Sequence, residues 1–191
     1  PKEAQKKLNL PRNPRDYTSI AVTTDDSNDE IVYASSMGDG VIQYKNGTPV
    51  QSYNEKNAFK ETAGGYGSGY CYIDGLAFDK NGNLWMTSSE VNHAVLVLDK
   101  AGAWHRLDIE QLRGVYTIND ILITSTNDKW IYVPRNTPKL VMIPNSESLD
   151  EVSSYEFTTL IDTDGKELTP SNYTCVAEDK DGYCLLYTSP S

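Results

Sequence analysis

The chain has 191 residues, enough for one domain with a real core and too few to make two domains the default. It carries 27 acidic against 17 basic residues, a net charge of −10, with no basic block beyond Lys2, Lys6 and Lys7. That balance disfavours nucleic-acid backbones and anionic membrane surfaces as partners.

No apolar run approaches the roughly 20 residues that span a bilayer, so no direct membrane span is expected. Cys71, Cys175 and Cys184 are odd in number and have no C-x-x-C spacing. A disulfide framework or a zinc site needs a different arrangement, and no metal site and no cofactor are expected.

Residues 1–16 read as a lead-in segment, in which Pro1 to Leu8 is the one helix candidate. After it, one pattern recurs four times: an apolar strand, a polar turn rich in Asp, Asn and Gly, and a second strand carrying a large aromatic residue. Its copies are Thr18 to Val22, turn 25–29, Ile31 to Tyr33; Ile73 to Phe78, turn 79–82, Leu84 to Met86; Ile118 to Ile123, turn 124–128, Trp130 to Tyr132; and Tyr173 to Ala177, turn 178–182, then Tyr183 onward. Taking Tyr33, Trp85, Trp130 and Leu185 as equivalent, the intervals are 52, 45 and 55 residues. A period near the top of the 20–50-residue range is that of four-stranded propeller blades.

Further hairpin signals complete the first two units. Met37-Gly-Asp-Gly40 leads to Val41 to Tyr44, and Lys45-Asn-Gly-Thr48 leads to Val50 to Tyr53. Ser88 to Asn92 leads to Ala94 to Leu98, and Asp99-Lys-Ala-Gly102 leads to Trp104 to Leu107. Asn-Gly, Asp-Gly and Ala-Gly steps accept the positive φ angles that tight hairpins need.

The spacing predicts an all-β fold, a partial β-propeller of about three and a half four-stranded blades and roughly 14 strands. Its blades run over about 17–53, 73–107, 117–160 and 172–187, within a propeller spanning 17–183. The segments 54–70 and 144–170 read as excursions between strands or blades, where function tends to sit.

Asp79-Lys-Asn-Gly82, Asp162-Thr-Asp-Gly165 and Asp179-Lys-Asp-Gly182 place Gly too early and lack the closing acid of a calcium loop, so they read as turns. Ala63 to Tyr70 is Gly-rich but lacks the Gly-Lys-Ser/Thr ending of a phosphate cradle. Tyr66, Tyr70 and Tyr72 remain as ligand-stacking candidates, since amphipathic rings can lie on a sugar or peptide. His93 and His105 read as surface histidines, with no nucleophile in a G-x-S-x-G setting, so no catalytic residue is assigned. Trp85 and Trp130, recurring at one position of successive units, read as core.

Gly75-Leu-Ala-Phe-Asp-Lys-Asn-Gly-Asn-Leu-Trp85 resembles the signature of the two-component-regulator propeller repeat, an apolar strand before D-x-x-G-x-φ-W. The run from Tyr17 to Tyr53, with Asp29-Glu-Ile-Val-Tyr33 and Gly38-Asp-Gly-Val41, is similar to the preceding blade in the propellers of the type IX (Por) secretion-system surface component and its Bacteroidota relatives. Asn127-Asp-Lys-Trp130, Asp162 to Gly165 and Val176 to Tyr183 extend the likeness over about 17–183. It departs from Cys184 onward, where the family continues with an apolar residue, Trp and a Gly-Thr pair; residues 184–191 read as a non-native tail, and the propeller as truncated at both ends.

The resemblance implies an extracytoplasmic, non-catalytic propeller for recognition or scaffolding in a larger surface or periplasmic protein. Its implied partners are a protein or glycan ligand at the envelope and the remaining blades of the same chain. Two alternatives stay open: the periplasmic ligand-sensing propeller of a hybrid two-component sensor, and a propeller lyase or hydrolase.

Overall fold

Four hairpin turns of one geometry organise the computed structural model, which describes residues 16–60, 69–161 and 164–188. In each, the first residue donates its N–H to the carbonyl of the fifth, and the fourth donates back to the first. The turns are Asp25/Asp29, Asp79/Asn83, Thr124/Asp128 and Asp179/Tyr183. The fourth residue is Asn28, Gly82, Asn127 or Gly182, each at positive φ, the left-handed position that closes a three-residue hairpin. The recurring D-K-x-G phrase is thus a turn code. The Asp162 to Gly165 turn lies only partly within the described residues.

Each turn joins the first two strands of a blade. The first blade is β1 (Tyr17–Thr24), β2 (Glu30–Gly38), β3 (Gly40–Lys45) and β4 (Thr48–Tyr53). The second is β5 (Cys71–Phe78), β6 (Leu84–Ser88), β7 (Val95–Leu98) and β8 (Trp104–Leu107). A 3-10 turn, Glu110–Leu112, precedes the third, β9 (Ile121–Ile123), β10 (Lys129–Val133), β11 (Lys139–Ile143) and β12 (Tyr155–Phe157). A small hairpin, β13 (Leu160–Ile161) with β14 (Glu167–Leu168), leads to β15 (Tyr173–Glu178) and β16 (Cys184–Thr188) of the fourth. All pairings named in these sheets are antiparallel.

The fold is therefore an all-β partial propeller, three complete blades and half of a fourth. Residues 184–188 form β16 and pair with β15 from Glu178↔Cys184 to Tyr173↔Thr188, in the fourth blade expected at about 172–187. One detail differs from the sequence reading, the position equivalent to Trp85 in the first blade. Counting six residues on from each turn's first residue reaches Trp85, Trp130 and Leu185, but Ile31 in the first blade rather than Tyr33. The register agrees, pairing Thr23↔Ile31 as it pairs Ala77↔Trp85 and Leu122↔Trp130. The helix candidate Pro1 to Leu8 lies outside the described residues.

Blades stack face to face, so a middle strand is covered on both sides and alternation disappears. All five residues of β6 and all four of β7 are buried. Leu84, Met86, Leu96 and Leu98 pack toward the first blade with Val41, Phe59 and Ile73, while Trp85, Val95 and Val97 pack toward the third with Ile121, Ile131 and Val141. Trp130, half-buried, repeats the role of Trp85 one seam later, stacked on Phe157 at 5.5 Å in the cluster that reaches Tyr173 and Leu186.

The inner strands meet more closely than side chains allow. A Cβ on Gly75 would stand 2.7 Å from the Ile121 nitrogen and 2.8 Å from the Asp120 Cα, closer than real contacts permit, so the second blade needs glycine there. Gly75→Ala is expected to destabilise by about 1–3 kcal/mol, the usual cost of overpacking, measured by urea unfolding. Trp85→Ala is expected to cost about 3–5 kcal/mol. In Trp85→Phe most of the ring burial survives and the indole N–H that donates to Asp79 Oδ2 at 2.9 Å is lost, so a smaller loss of about 1–2 kcal/mol is expected; a parent-like midpoint in Trp85→Phe would contradict the hydrogen bond's role, and equal midpoints for the two variants would contradict the packing role.

Candidate functional site

In an antiparallel meander successive connections fall at alternate ends. The four repeated turns define one end of the blades. The opposite end carries the links between β2 and β3, between β6 and β7, and from one blade to the next. It is built by an overhang: the last residues of β2 run past their own blade and pair with the start of β5, Met37↔Tyr72 and Gly38↔Cys71. Gly38, at φ +115°, leaves room for the Tyr70 ring, whose Cε2 would lie 2.8 Å from a Cβ there.

This overhang brings Tyr70 and Tyr72 together, edge to face at 6.3 Å between ring centroids. Tyr66 lies outside the described residues. Burial is the main force raising both phenols above the ordinary tyrosine range; the nearby charges of Asp39 and Glu90 add at Tyr70, and those of Asp74 and Glu90 at Tyr72. Their hydroxyls therefore stay protonated and can donate. Tyr116, more than half exposed, stands near Tyr72 on the next connection.

Asp74 lies beneath this cluster, on a bulge where β5 shifts register between Ile73 and Leu76. Its Oδ2 accepts the Ser89 hydroxyl at 2.7 Å, and Ser89 Oγ accepts the Ile118 N–H at 2.8 Å. Burial pushes the Asp74 carboxyl up to about 8, opposed by the bonds from Ser89 and reinforced by the charge of Asp120. Asp120 is exposed as a residue, but its Oδ1 lies against Gly75, and this partial desolvation raises its carboxyl in the same direction, opposed by the Ile121 N–H. The site thus combines tyrosine rings, a neutral carboxyl and an accessible one, a set suited to hydroxyl-rich ligands.

Sequence reasoning named Tyr70 and Tyr72, which the structure brings together, and did not single out Asp74, Ser89, Glu90 or Tyr116. The signal for Asp74 was a lone acid inside the apolar run Ile73 to Phe78. The histidines do not converge: His93 is in the β6–β7 link, at the tyrosine end, whereas His105 is held near the other end. His105 is also more than a surface histidine, since its Nε2–H donates to Asp99 Oδ2 at 2.9 Å. The Cys71 thiol, pushed up to about 12 by burial, is no nucleophile at neutral pH. Among the described residues no cluster of His, Cys, Asp and Glu could hold a metal ion.

A bladed sheet with its variable links gathered at one end is the architecture of β-propeller domains. No protein family and no curated protein matches the chain in sequence. In structure it is similar to PorZ, a bacterial surface component of the type IX secretion system of Porphyromonas gingivalis, with a TM-score of 0.82 and 18% identity over 98% of this chain and 26% of that one. The chain thus spans about a quarter of that protein. Weaker likenesses are to a putative 6-phosphogluconolactonase from Bacteroides uniformis (TM-score 0.48, 12% identity, 93% of this chain and 54% of that one) and to the extracellular domain of a putative hybrid two-component system from B. thetaiotaomicron (TM-score 0.33, 14% identity, 94% and 32%). The propeller resemblance read from the sequence is matched by this structural likeness to PorZ, which concerns the fold.

The Asp74 environment has a consequence for stability. Its folded pKa lies above the ordinary value near 3.8, so between about pH 4 and pH 8 the folded chain keeps a proton that the unfolded chain has released, and stability falls as pH rises through that window. Asp74→Asn is expected to match the parent near pH 4 and to exceed it progressively, by about 2 kcal/mol or more at pH 8. Acid losses from Asp25 and Asp29, lowered by Lys45, and from Asp99, lowered by His105, are common to both chains. A pH-independent difference in thermal midpoints would refute the assignment.

Proposed function

We propose that the chain is part of an extracytoplasmic, non-catalytic propeller that recognises or scaffolds a ligand at the bacterial envelope, within a type IX secretion-associated surface protein. The observation that carries the recognition reading is the tyrosine cluster at the link-bearing end, where Tyr70, Tyr72 and Tyr116 stand over Asp74. The structural likeness to a secretion-system surface component supports the setting. Glycan is the favoured ligand, because rings with protonated hydroxyls beside carboxyl groups match the stacking and hydrogen-bonding needs of sugars.

Further blades of the same polypeptide are proposed as the second partner. Ile20 and Val22 on β1, and Leu185 and Tyr187 on β16, are more than half exposed, the kind of apolar blade face that a neighbouring blade covers.

A catalytic reading draws support from one observation, the raised Asp74 carboxyl near Asp120, because such pairs also serve acid–base chemistry. The two readings part in one experiment. Titration with a panel of neutral oligosaccharides, followed by tyrosine fluorescence, is expected to show saturable binding that drops at least tenfold in Tyr70→Ala/Tyr72→Ala, with no new reducing ends formed. Turnover that disappears in Asp74→Asn would establish catalysis instead, and binding indifferent to both tyrosines would sink the proposed site.

A further inference from the structure

The three tyrosines of the link-bearing end arrive there on different segments, so their spacing depends on what joins those segments. Tyr70 and Tyr72 flank the start of β5, whereas Tyr116 belongs to the link from β8 to β9. Ser89, fully buried, is where the two meet. Its N–H donates to the Tyr72 carbonyl at 3.2 Å. Its hydroxyl donates to Asp74 Oδ2 at 2.7 Å, and its Oγ accepts the Ile118 N–H at 2.8 Å. A serine hydroxyl has one proton and two lone pairs; Asp74 takes the proton, which leaves the lone pairs for Ile118.

Two further bonds extend this contact into a short ladder. The Glu90 N–H donates to the Val115 carbonyl at 2.8 Å, and the Gly114 N–H donates to the Val91 carbonyl at 2.9 Å. Glu90 itself sits at φ +61°, a conformation that few residues other than glycine adopt without support. Tyr116 therefore stands between two pinned positions, Val115 before it and Ile118 after it. With 59% of its surface exposed, it is held beside Tyr72 less by packing than by the backbone beneath it. Of the three bonds in the ladder, the one from Ile118 alone ends on a side chain. Ser89→Ala removes it and leaves the buried Ile118 N–H and the Asp74 carboxyl short of a partner together, a costly state that a shift of the link relieves.

We propose that Ser89 is the positioning residue of the tyrosine site: through Ile118 it holds Tyr116 at the spacing from Tyr70 and Tyr72 at which all three rings meet one glycan. The proposal rests on the glycan reading above. Ser89 touches no ligand itself; it acts by preorganisation, removing the ordering cost that a loose link adds to binding.

The test is isothermal titration calorimetry of the 191-residue chain with cellopentaose, xylopentaose and maltopentaose, at a temperature well below each variant's thermal midpoint. For the pentaose that the parent binds most tightly, Ser89→Ala and Tyr116→Ala are each expected to weaken binding about three- to tenfold. The double variant is expected to bind no more weakly than the weaker single variant, because without Tyr116 the anchor has nothing left to hold. Amide hydrogen exchange adds a readout without ligand: in Ser89→Ala, exchange at Ile118 is expected to quicken about tenfold or more while the β7 amides keep the parent's protection. Parent-like binding by Ser89→Ala, losses that multiply in the double variant, or unchanged exchange at Ile118 overturns the inference. If Tyr70→Ala/Tyr72→Ala then loses binding, the glycan reading stands and Ser89's role alone is lost; if that variant binds like the parent, or no pentaose binds the parent, both fall.

Discussion

The carboxylate of Asp79 fixes the geometry on which the second blade and both its seams rest. Its Oδ1 accepts the Asn81 and Asn83 backbone N–H groups, and its Oδ2 accepts the Asn83 side-chain amide and the Trp85 indole, all at 2.9 Å. One buried side chain therefore closes the turn, fixes the start of β6 and orients the ring that fills the next seam. Lys129, buried on the third blade, lays its ammonium 4.6 Å from the centre of that ring, where burial pulls its pKa down and Asp79 and Asp128 oppose the fall. The same device recurs one hairpin later, where Asp99 Oδ1 accepts the Ala103 N–H and Oδ2 accepts from His105, again six residues on. A ring N–H placed six residues after a turn aspartate is thus a two-point clamp used twice.

At the other end of the blades the seams are stitched by hydroxyl groups. Bulges in β1, β5 and β15 interrupt the ladders, and the close approach at Gly75 leaves no room for larger bridges. Backbone groups freed in this way need partners. Thr18 donates to the Ile73 carbonyl and Ser19 accepts from the Leu76 N–H. Thr87 accepts from the Gly75 N–H and donates to the Asn119 carbonyl. Tyr132 serves the third seam through Thr174. Bulges of this kind also re-aim side chains near functional surfaces, and it is on the β5 bulge that Asp74 turns toward Ser89.

What was legible in the sequence was local. The turn code needs only neighbours in the chain, so its recurrence gave away the blade period, the hairpins and the packing role of Trp85 and Trp130, buried in the first case and half-buried in the second. Tyr33 was matched to Trp85 by ring type, whereas register assigns Ile31; a shared side-chain class is a weaker guide than distance from the turn. His105 was readable in principle, because Asp99-Lys-Ala-Gly102 repeats the Asp79 phrase with a ring six residues on. Asp74 and Ser89 were not, because their environments arise where segments distant in sequence meet across a seam. Residues 184–188 break the family pattern of side chains yet still pair as a strand, since strand pairing asks for backbone groups and alternation more than for particular residues.

The β2 overhang sets how the blades are joined. Through Met37↔Tyr72 and Gly38↔Cys71 the first two blades become one continuous sheet of eight strands, whereas the third and fourth sit in sheets of their own. Opening the first seam breaks shared main-chain ladders, and opening the later ones disturbs side-chain packing and isolated bonds. In a repeat array whose units couple only to neighbours, that asymmetry divides the molecule into a tightly fused pair and successively detachable units. Amide protection is therefore expected to be graded along the chain, deepest around β6 and β7 and shallowest in the fourth blade.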